Sequence, residues 1–236
     1  MKKLVTLLAM LVMLASGASA QESYFGGQRV LIAYFSWSGN TQRVAQEIQR
    51  LTGGTLFRIE PVTPYPTDYT ECTEVALEER DNDARPAIAS TVENWNDYDI
   101  VFIGCPVWWH TAPMIISTFA ESYDFKGKTV VPFCTYASTF RDETLQKIVD
   151  LTPDAAHLTG LGARSGQTSG VQAWLNSIND EWEENGGSTG INNVSATQGD
   201  KNNVTYDLSG RVVKNEEASH GVFIVSKNGK SHKVLK

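Results

Sequence analysis

Six consecutive residues, Ser36-Trp37-Ser38-Gly39-Asn40-Thr41, have the types needed to wrap an anion without any cationic side chain. They lie between an apolar run and a helical pattern. The loop therefore leads into a helix amino terminus, whose unpaired N–H groups and partial positive charge favour a negative ligand. Gly39 lets the backbone approach closely, and the hydroxyls of Ser36, Ser38 and Thr41 add donors. That chemistry is phosphate binding. No Gly-Lys-Ser/Thr ends the loop, as in nucleotide hydrolases, and no GxGxxG is present, as in dinucleotide-binding folds. Taken alone, the same residues also read as a plain turn with Thr41 capping the helix.

Two further loops carry unusual composition. Cys105-Pro106-Val107-Trp108-Trp109-His110-Thr111 sets adjacent tryptophans at a strand end, and Thr135-Tyr136-Ala137-Ser138-Thr139 follows the next strand. The three cysteines, Cys72, Cys105 and Cys134, form no CxxC pair and lack a His at ligand spacing, which argues against structural zinc.

The elements that position these loops follow from hydrophobic spacing. Residues 30–35 form a continuous apolar run of strand formers, and Val44, Ala45, Ile48 and Leu51 mark the apolar face of a helix over 41–51, closed by Gly53-Gly54. Residues 55–60 read as a second strand, 61–66 as a Pro-rich loop and 69–80 as a helix with an acidic exposed face. Residues 100–105 and 129–134 are fully apolar strands, with a helix over 113–121 between them. Helical spacing returns at Leu145, Ile148 and Val149, and at Val171, Trp174, Leu175 and Ile178. Strands apolar throughout, alternating with helices, imply a parallel sheet covered on both faces. Ligands then sit beyond the carboxyl ends of the strands, where the winding reverses.

The hydroxyl-rich stretch ending Gly39-Asn40-Thr41, directly after an apolar strand, resembles the phosphate loop of the flavodoxin family. Pro64-Tyr65-Pro66, Pro106-Val107-Trp108-Trp109, Thr111-Ala112-Pro113, Phe119 and Tyr123-Asp124-Phe125-Lys126-Gly127-Lys128 fall in the order and spacing of its bacterial flavodoxin-like subfamily. The resemblance covers about residues 29–178. It implies an α/β fold, a doubly wound five-stranded parallel sheet in the order 2-1-3-4-5, and FMN as cofactor. Ser36, Trp37, Ser38, Gly39, Asn40 and Thr41 would hold its phosphate. The segment Pro106, Val107, Trp108, Trp109, His110 and Thr111 would meet one edge of the ring, and Thr135, Tyr136 and Ala137 the other. A flat, polarisable ring suits aromatic walls, so at least one of the two tryptophans is expected to touch it. Relatives usually carry Gly at the position of His110 and glycines in the loop after the fourth strand. Tyr136 either stacks on the ring in compensation or stands exposed. Arg164, after the expected fifth strand, is expected to pair with surface acids rather than reach the site. Cys105 and Cys134 end neighbouring strands and are expected to remain buried thiols.

The chain has 236 residues with 41% hydrophobic and 20% charged, enough for one mid-sized domain and an appendage. Its formal charge of −7 disfavours nucleic acid or an anionic membrane as partner. Lys2 and Lys3, an apolar run and Ala18-Ser19-Ala20 lay out a secretory signal over 1–20, too short for a bilayer span of ~20 apolar residues. The expected division is a signal at 1–20, the cofactor domain at 21–184, a linker at 185–202 and a β-hairpin tail at 203–236. Residues 21–190 carry −12 and the remainder +3. The tail has strand-like runs at 204–213, and two more flanking Asn228-Gly229, a hairpin signal. It resembles carboxy-terminal sorting modules of proteins exported by Bacteroidetes. These readings converge on an exported FMN-binding electron carrier, in the periplasm or at the cell surface, that meets an electropositive redox partner protein. The competing readings are an FMN-dependent NAD(P)H:quinone-type reductase and a cofactor-free exported binding module.

Overall fold

The computed structural model describes residues 24–187 and the backbone of four strands between residues 204 and 235. The signal segment and most of the linker lie outside the described residues.

The chain alternates β1 (Val30–Tyr34), α1 (Asn40–Thr52), β2 (Thr55–Arg58), α2 (Tyr69–Asp81), β3 (Ile100–Pro106), α3 (Met114–Glu121), β4 (Thr129–Tyr136), α4 (Arg141–Asp150), β5 (Ala156–His157), β6 (Leu161–Arg164) and α5 (Val171–Glu184). All pairings in this sheet are parallel and its order is β2-β1-β3-β4-β5, with β6 also on β4. The sheet is apolar on both sides because each side has its own core. Ile32, Tyr34 and Phe102 pack with Val44 and Ile48 of α1 and Leu175 and Ile178 of α5. Leu31, Ala33, Val101 and Ile103 pack with Ile115, Ile116 and Phe119 of α3 and Ile148 of α4. Period-two alternation puts successive residues into opposite cores, so both sets must be apolar.

The fifth position of the sheet is occupied by two short strands. Leu158 donates its N–H to the Val130 carbonyl and Ser165 donates to that of Tyr136, so the even-numbered residues of β4 face this edge. Pro132 is one of them and has no N–H to give. The ladder lapses there, and Gly160 packs so closely that a Cβ would meet the Pro132 ring at 3.0 Å. Arg164 consequently closes β6 rather than following it. The second strand ends at Arg58, two residues before the expected Glu60. Beyond it, the Glu60 carbonyl accepts from Ala89 and the Val62 N–H donates to Ala87, which folds residues 60–62 against 87–89.

The amino-terminal segment is tied to the last helix. Phe25 is fully buried, edge-on to Phe102 and Trp182, and its N–H donates to Asn179 Oδ1 at 2.6 Å. At the far end, β7 (Val204–Tyr206), β8 (Val212–Val213), β9 (Val222–Lys227) and β10 (Lys230–Leu235) form a separate antiparallel sheet in the order β10-β9-β7-β8. Lys227 pairs with Lys230, and the Asn228-Gly229 hairpin signal lies outside the described residues.

Candidate functional site

The loop after β1 is shaped by its own backbone. Ser36 is buried and its hydroxyl accepts the Gln42 N–H at 3.2 Å, while the Gly39 carbonyl accepts from Arg43 N–H at 3.1 Å. The Ser36 hydroxyl thus satisfies the orphan amide of Gln42, and Arg43 makes the first intrahelical bond, leaving the amides of Asn40 and Thr41 at the mouth of the helix. Gly39 has φ +86° and nothing lies within 4 Å of where its Cβ would be, so conformation alone accounts for glycine here. Thr41 is buried, its hydroxyl 2.9 Å from that of Thr135 at the end of β4. Two expected ligand residues from different loops therefore hold each other. Trp37 is pinned by its indole N–H to the Pro66 carbonyl at 2.9 Å, which gives the Pro64-Tyr65-Pro66 motif a positioning role.

The loop after β3 is a tight reverse turn. Trp108 and Thr111 exchange both backbone hydrogen bonds, at 2.9 and 3.0 Å, and the two residues between them, Trp109 and His110, have φ of +44° and +71°. Positive φ at both central positions is the signature of a type I′ turn, normally filled by Asn and Gly. His110 thus has glycine-type backbone while bearing an imidazole, at a cost of about 1–2 kcal/mol for a left-handed residue. Side-chain contacts offset that strain. Trp108 sits edge-on to Phe35 and Tyr65, with ring centres 5.2 and 5.0 Å away. Trp109 donates its indole N–H to the Thr73 carbonyl of α2 at 2.7 Å and lies under the Arg80 guanidinium. His110 stacks on Phe140 at 3.8 Å between ring centres, bridging the loops after β3 and β4.

Arg164 donates to the Ala137 carbonyl at 3.0 Å, so it braces the loop after β4 instead of pairing with surface acids. Cys105 and Cys134 are register partners on β3 and β4, both free thiols. Burial raises the Cys105 thiol well above its usual range and pushes Cys134 up to about 12, which makes both poor nucleophiles. Tyr65 donates to Glu79 Oε2 at 2.8 Å; burial raises the Glu79 carboxyl and the Tyr65 bond opposes that rise.

These loops enclose a cavity of about 730 Å³. Of the residues singled out from the sequence, Trp37, Ser38, Asn40, Pro106, Val107, Trp108, Trp109, His110, Thr135, Tyr136 and Ala137 line it. Ser36, Gly39, Thr41 and Thr111 do not, and serve as the frame just described. The sequence reading missed Phe140 and Ser165, and one whole wall: Tyr69, Cys72, Thr73 and Ala76 of α2. Their i, i+3, i+4, i+7 spacing was the available signal, hidden by the acidic residues of the opposite face. Among the described residues, no Asp, Glu, Lys or Arg lines the cavity. A helix amino terminus at one end and aromatic side chains along the walls fit a flat neutral ring carrying an anionic tail.

A family model described as Flavodoxin matches residues 29–178. The chain belongs to the flavodoxin family. The chain is similar in structure to a candidate flavoprotein from Bacteroides eggerthii DSM 20697, at 36% identity and a TM-score of 0.58, over 64% of this chain and 98% of that one. A second candidate flavoprotein, from Bacteroides uniformis ATCC 8492, is 32% identical with a TM-score of 0.57, over 63% and 98% of the two chains. A flavoprotein from Lactobacillus acidophilus NCFM in complex with FMN is 24% identical with a TM-score of 0.54, covering 62% and 98%, and shares the flavodoxin fold. No curated protein matches the chain.

Proposed function

We propose that this protein binds FMN and passes electrons one at a time to an electropositive partner, outside the cytoplasm. The observation that carries the cofactor reading is the cavity itself: uncharged side chains throughout, aromatic walls, and the amino terminus of α1 as its electropositive end. The FMN complex of the Lactobacillus acidophilus relative supports the same reading. FMN when bound supplies reversible electron uptake, with the surroundings setting its potential. The Asn40 and Thr41 amides and the Ser38 hydroxyl would hold the phosphate, without a counter-cation. The Thr41–Thr135 hydrogen bond fixes that loop against the loop after β4. The turn bearing Trp109 and His110 would border the ring, held in its strained form by Thr73 and Phe140.

The carrier reading is favoured over an NAD(P)H reductase by Trp109 and Tyr136. Both line the cavity, where they would compete with a nicotinamide for the ring faces. The test is flavin-fluorescence quenching with FMN, FAD and riboflavin, followed by stopped-flow mixing of the FMN-loaded protein with NADPH. Tight binding of FMN alone, and negligible bleaching by NADPH, are expected. Riboflavin binding as tightly as FMN overturns the phosphate site, and rapid bleaching promotes the reductase.

Export is proposed from the basic-apolar-small layout of residues 1–20, and a sorting role for the tail from its basic charge and its resemblance to Bacteroidetes modules. Among the described residues no helix is long and apolar enough to cross a membrane. Edman sequencing of the cell-envelope protein is expected to begin at Gln21; an intact Met1 overturns the export signal.

A further inference from the structure

A second cavity, of about 370 Å³, lies outside the cofactor site, lined by the carboxyl ends of β1 and β2, the Pro-rich loop and Ala89. Trp37 is the one described residue that lines both cavities. The ends of parallel strands are where ligands gather in this class of sheet. The walls are fixed before any ligand arrives. Phe35 is buried and Tyr65 half-buried, their ring centres 5.5 Å apart, and Tyr65 is held by its bond to Glu79. Pro61 and Pro64 have little conformational freedom of their own. Their loop is tied at one end by the backbone bonds to residues 87–89 and at the other by Trp37 to the Pro66 carbonyl.

Among the described residues, Arg58 and Glu60 are the only charged ones lining this cavity. Arg58 Nε lies 3.3 Å from Glu60 Oε1, and Arg58 Nη2 donates to the Ser36 carbonyl at 3.4 Å. These ties aim the guanidinium and leave its Nη1, and Glu60 Oε2, without a protein partner among the described residues. Both side chains are about half exposed, so the pair contributes little to stability. What it offers is a donor and an acceptor side by side, above a hollow walled by rings.

We infer that this cavity binds a free α-amino acid with an apolar side chain. The carboxylate would lie on Arg58, the ammonium on Glu60, and the side chain against Phe35, Tyr65 and the two prolines. Each attribute has a cause. A guanidinium presents parallel N–H groups that match a carboxylate. The adjacent Glu60 would repel a plain carboxylate, and an ammonium on the neighbouring carbon turns that repulsion into attraction. An apolar side chain suits an uncharged aromatic and proline wall, and the volume is at the small end of ligand pockets, which span about 300–1,000 Å³. The inference stands apart from the FMN reading, because the two ligands occupy different cavities.

The experiment is isothermal calorimetry on the full-length protein, without flavin and again with FMN, using L-phenylalanine as the probe. The comparison ligands are 3-phenylpropionate, 2-phenylethylamine and glycine, which lack the ammonium, the carboxylate and the side chain. Saturable binding of one phenylalanine per chain is expected under both conditions, with each comparison ligand at least tenfold weaker. Arg58→Gln and Glu60→Gln, both at exposed positions, are each expected to weaken phenylalanine at least tenfold while FMN affinity stays within twofold. Ala89→Trp, which fills the cavity from an exposed position without touching either charge, is expected to do the same. Absence of saturable phenylalanine binding overturns the inference. So does 3-phenylpropionate binding as tightly as phenylalanine, which would make this a plain carboxylate site, and so does unchanged binding in Ala89→Trp, which would place the amino acid elsewhere. Failure of FMN to bind, with phenylalanine still bound, overturns the proposed function and upholds this inference.

Discussion

The hydroxyls of Thr41 and Thr135 are each other's buried partners, and this makes their single substitutions deceptive. Thr41→Val leaves the buried Thr135 hydroxyl without its side-chain partner, at a cost of about 1–3 kcal/mol. Thr135→Val does the same to Thr41, whereas changing both removes the demand together. Urea unfolding is expected to show a double-mutant loss well below the sum of the single losses. His157 is a second legible case. Its Nε2 lies 2.9 Å from the Thr152 hydroxyl, and burial lowers its pKa while a hydrogen bond with the Thr152 backbone opposes the shift. A lowered folded pKa means that the unfolded chain binds the proton more readily. The stability it contributes is therefore full above about 6.5, and is lost as pH falls below that value and through the folded pKa. His157→Gln is expected to flatten the fall in melting temperature between about pH 7.5 and 5. At this scale the sequence identified hydroxyls near a phosphate site, but not which would bind ligand and which would bind each other. Residues 94 positions apart reveal nothing of their pairing in one sequence.

The central strands were readable because both of their faces are buried, which makes β1, β3 and β4 continuous apolar runs. Gly104 of β3 was not readable as more than a small residue. In the fold its missing Cβ is the space occupied by the Phe133 ring, which a methyl group would meet at 1.9 Å. Gly104→Ala is expected to cost more than about 2 kcal/mol, and a compensating Phe133→Leu to recover part of it, both by chemical denaturation. The division between β5 and β6 escaped the sequence for a different reason. Pro132 was visible, but its consequence falls on another strand and depends on which edge of β4 its nitrogen faces. The α2 wall was not legible because acidic residues dominate 69–80. Its uncharged stripe has only two buried residues, Cys72 and Ala76. The motif Tyr123-Asp124-Phe125-Lys126-Gly127-Lys128 turned out to be architectural: Tyr123 accepts the Val92 N–H, and Lys128 donates to the Trp95 and Tyr98 carbonyls beneath the Trp95 ring.

The molecule as a whole is charged unevenly, −12 over residues 21–190 against +3 beyond. Each electron added to a cofactor inside an acidic body meets repulsion, which lowers its potential and steers cationic partners inward. The second-order rate of electron transfer to a basic acceptor such as cytochrome c is expected to fall as salt rises from ~20 to ~500 mM, because the screening length shrinks below the span of the charged face. A rate indifferent to salt would remove the electropositive-partner reading. Phe25 gives this molecule one more collective property. Its ring fills a place bounded by Phe102 and Trp182, and its amide is held by Asn179, so a segment made early completes its packing only when α5 has been made. Any chain delivered from its amino end must therefore keep that segment waiting while some 150 residues follow. The contact joins the first and last segments of the α/β domain. Such a contact acts as a check on completeness: a chain cut short before α5 would leave an aromatic ring in water and mark itself as unfinished.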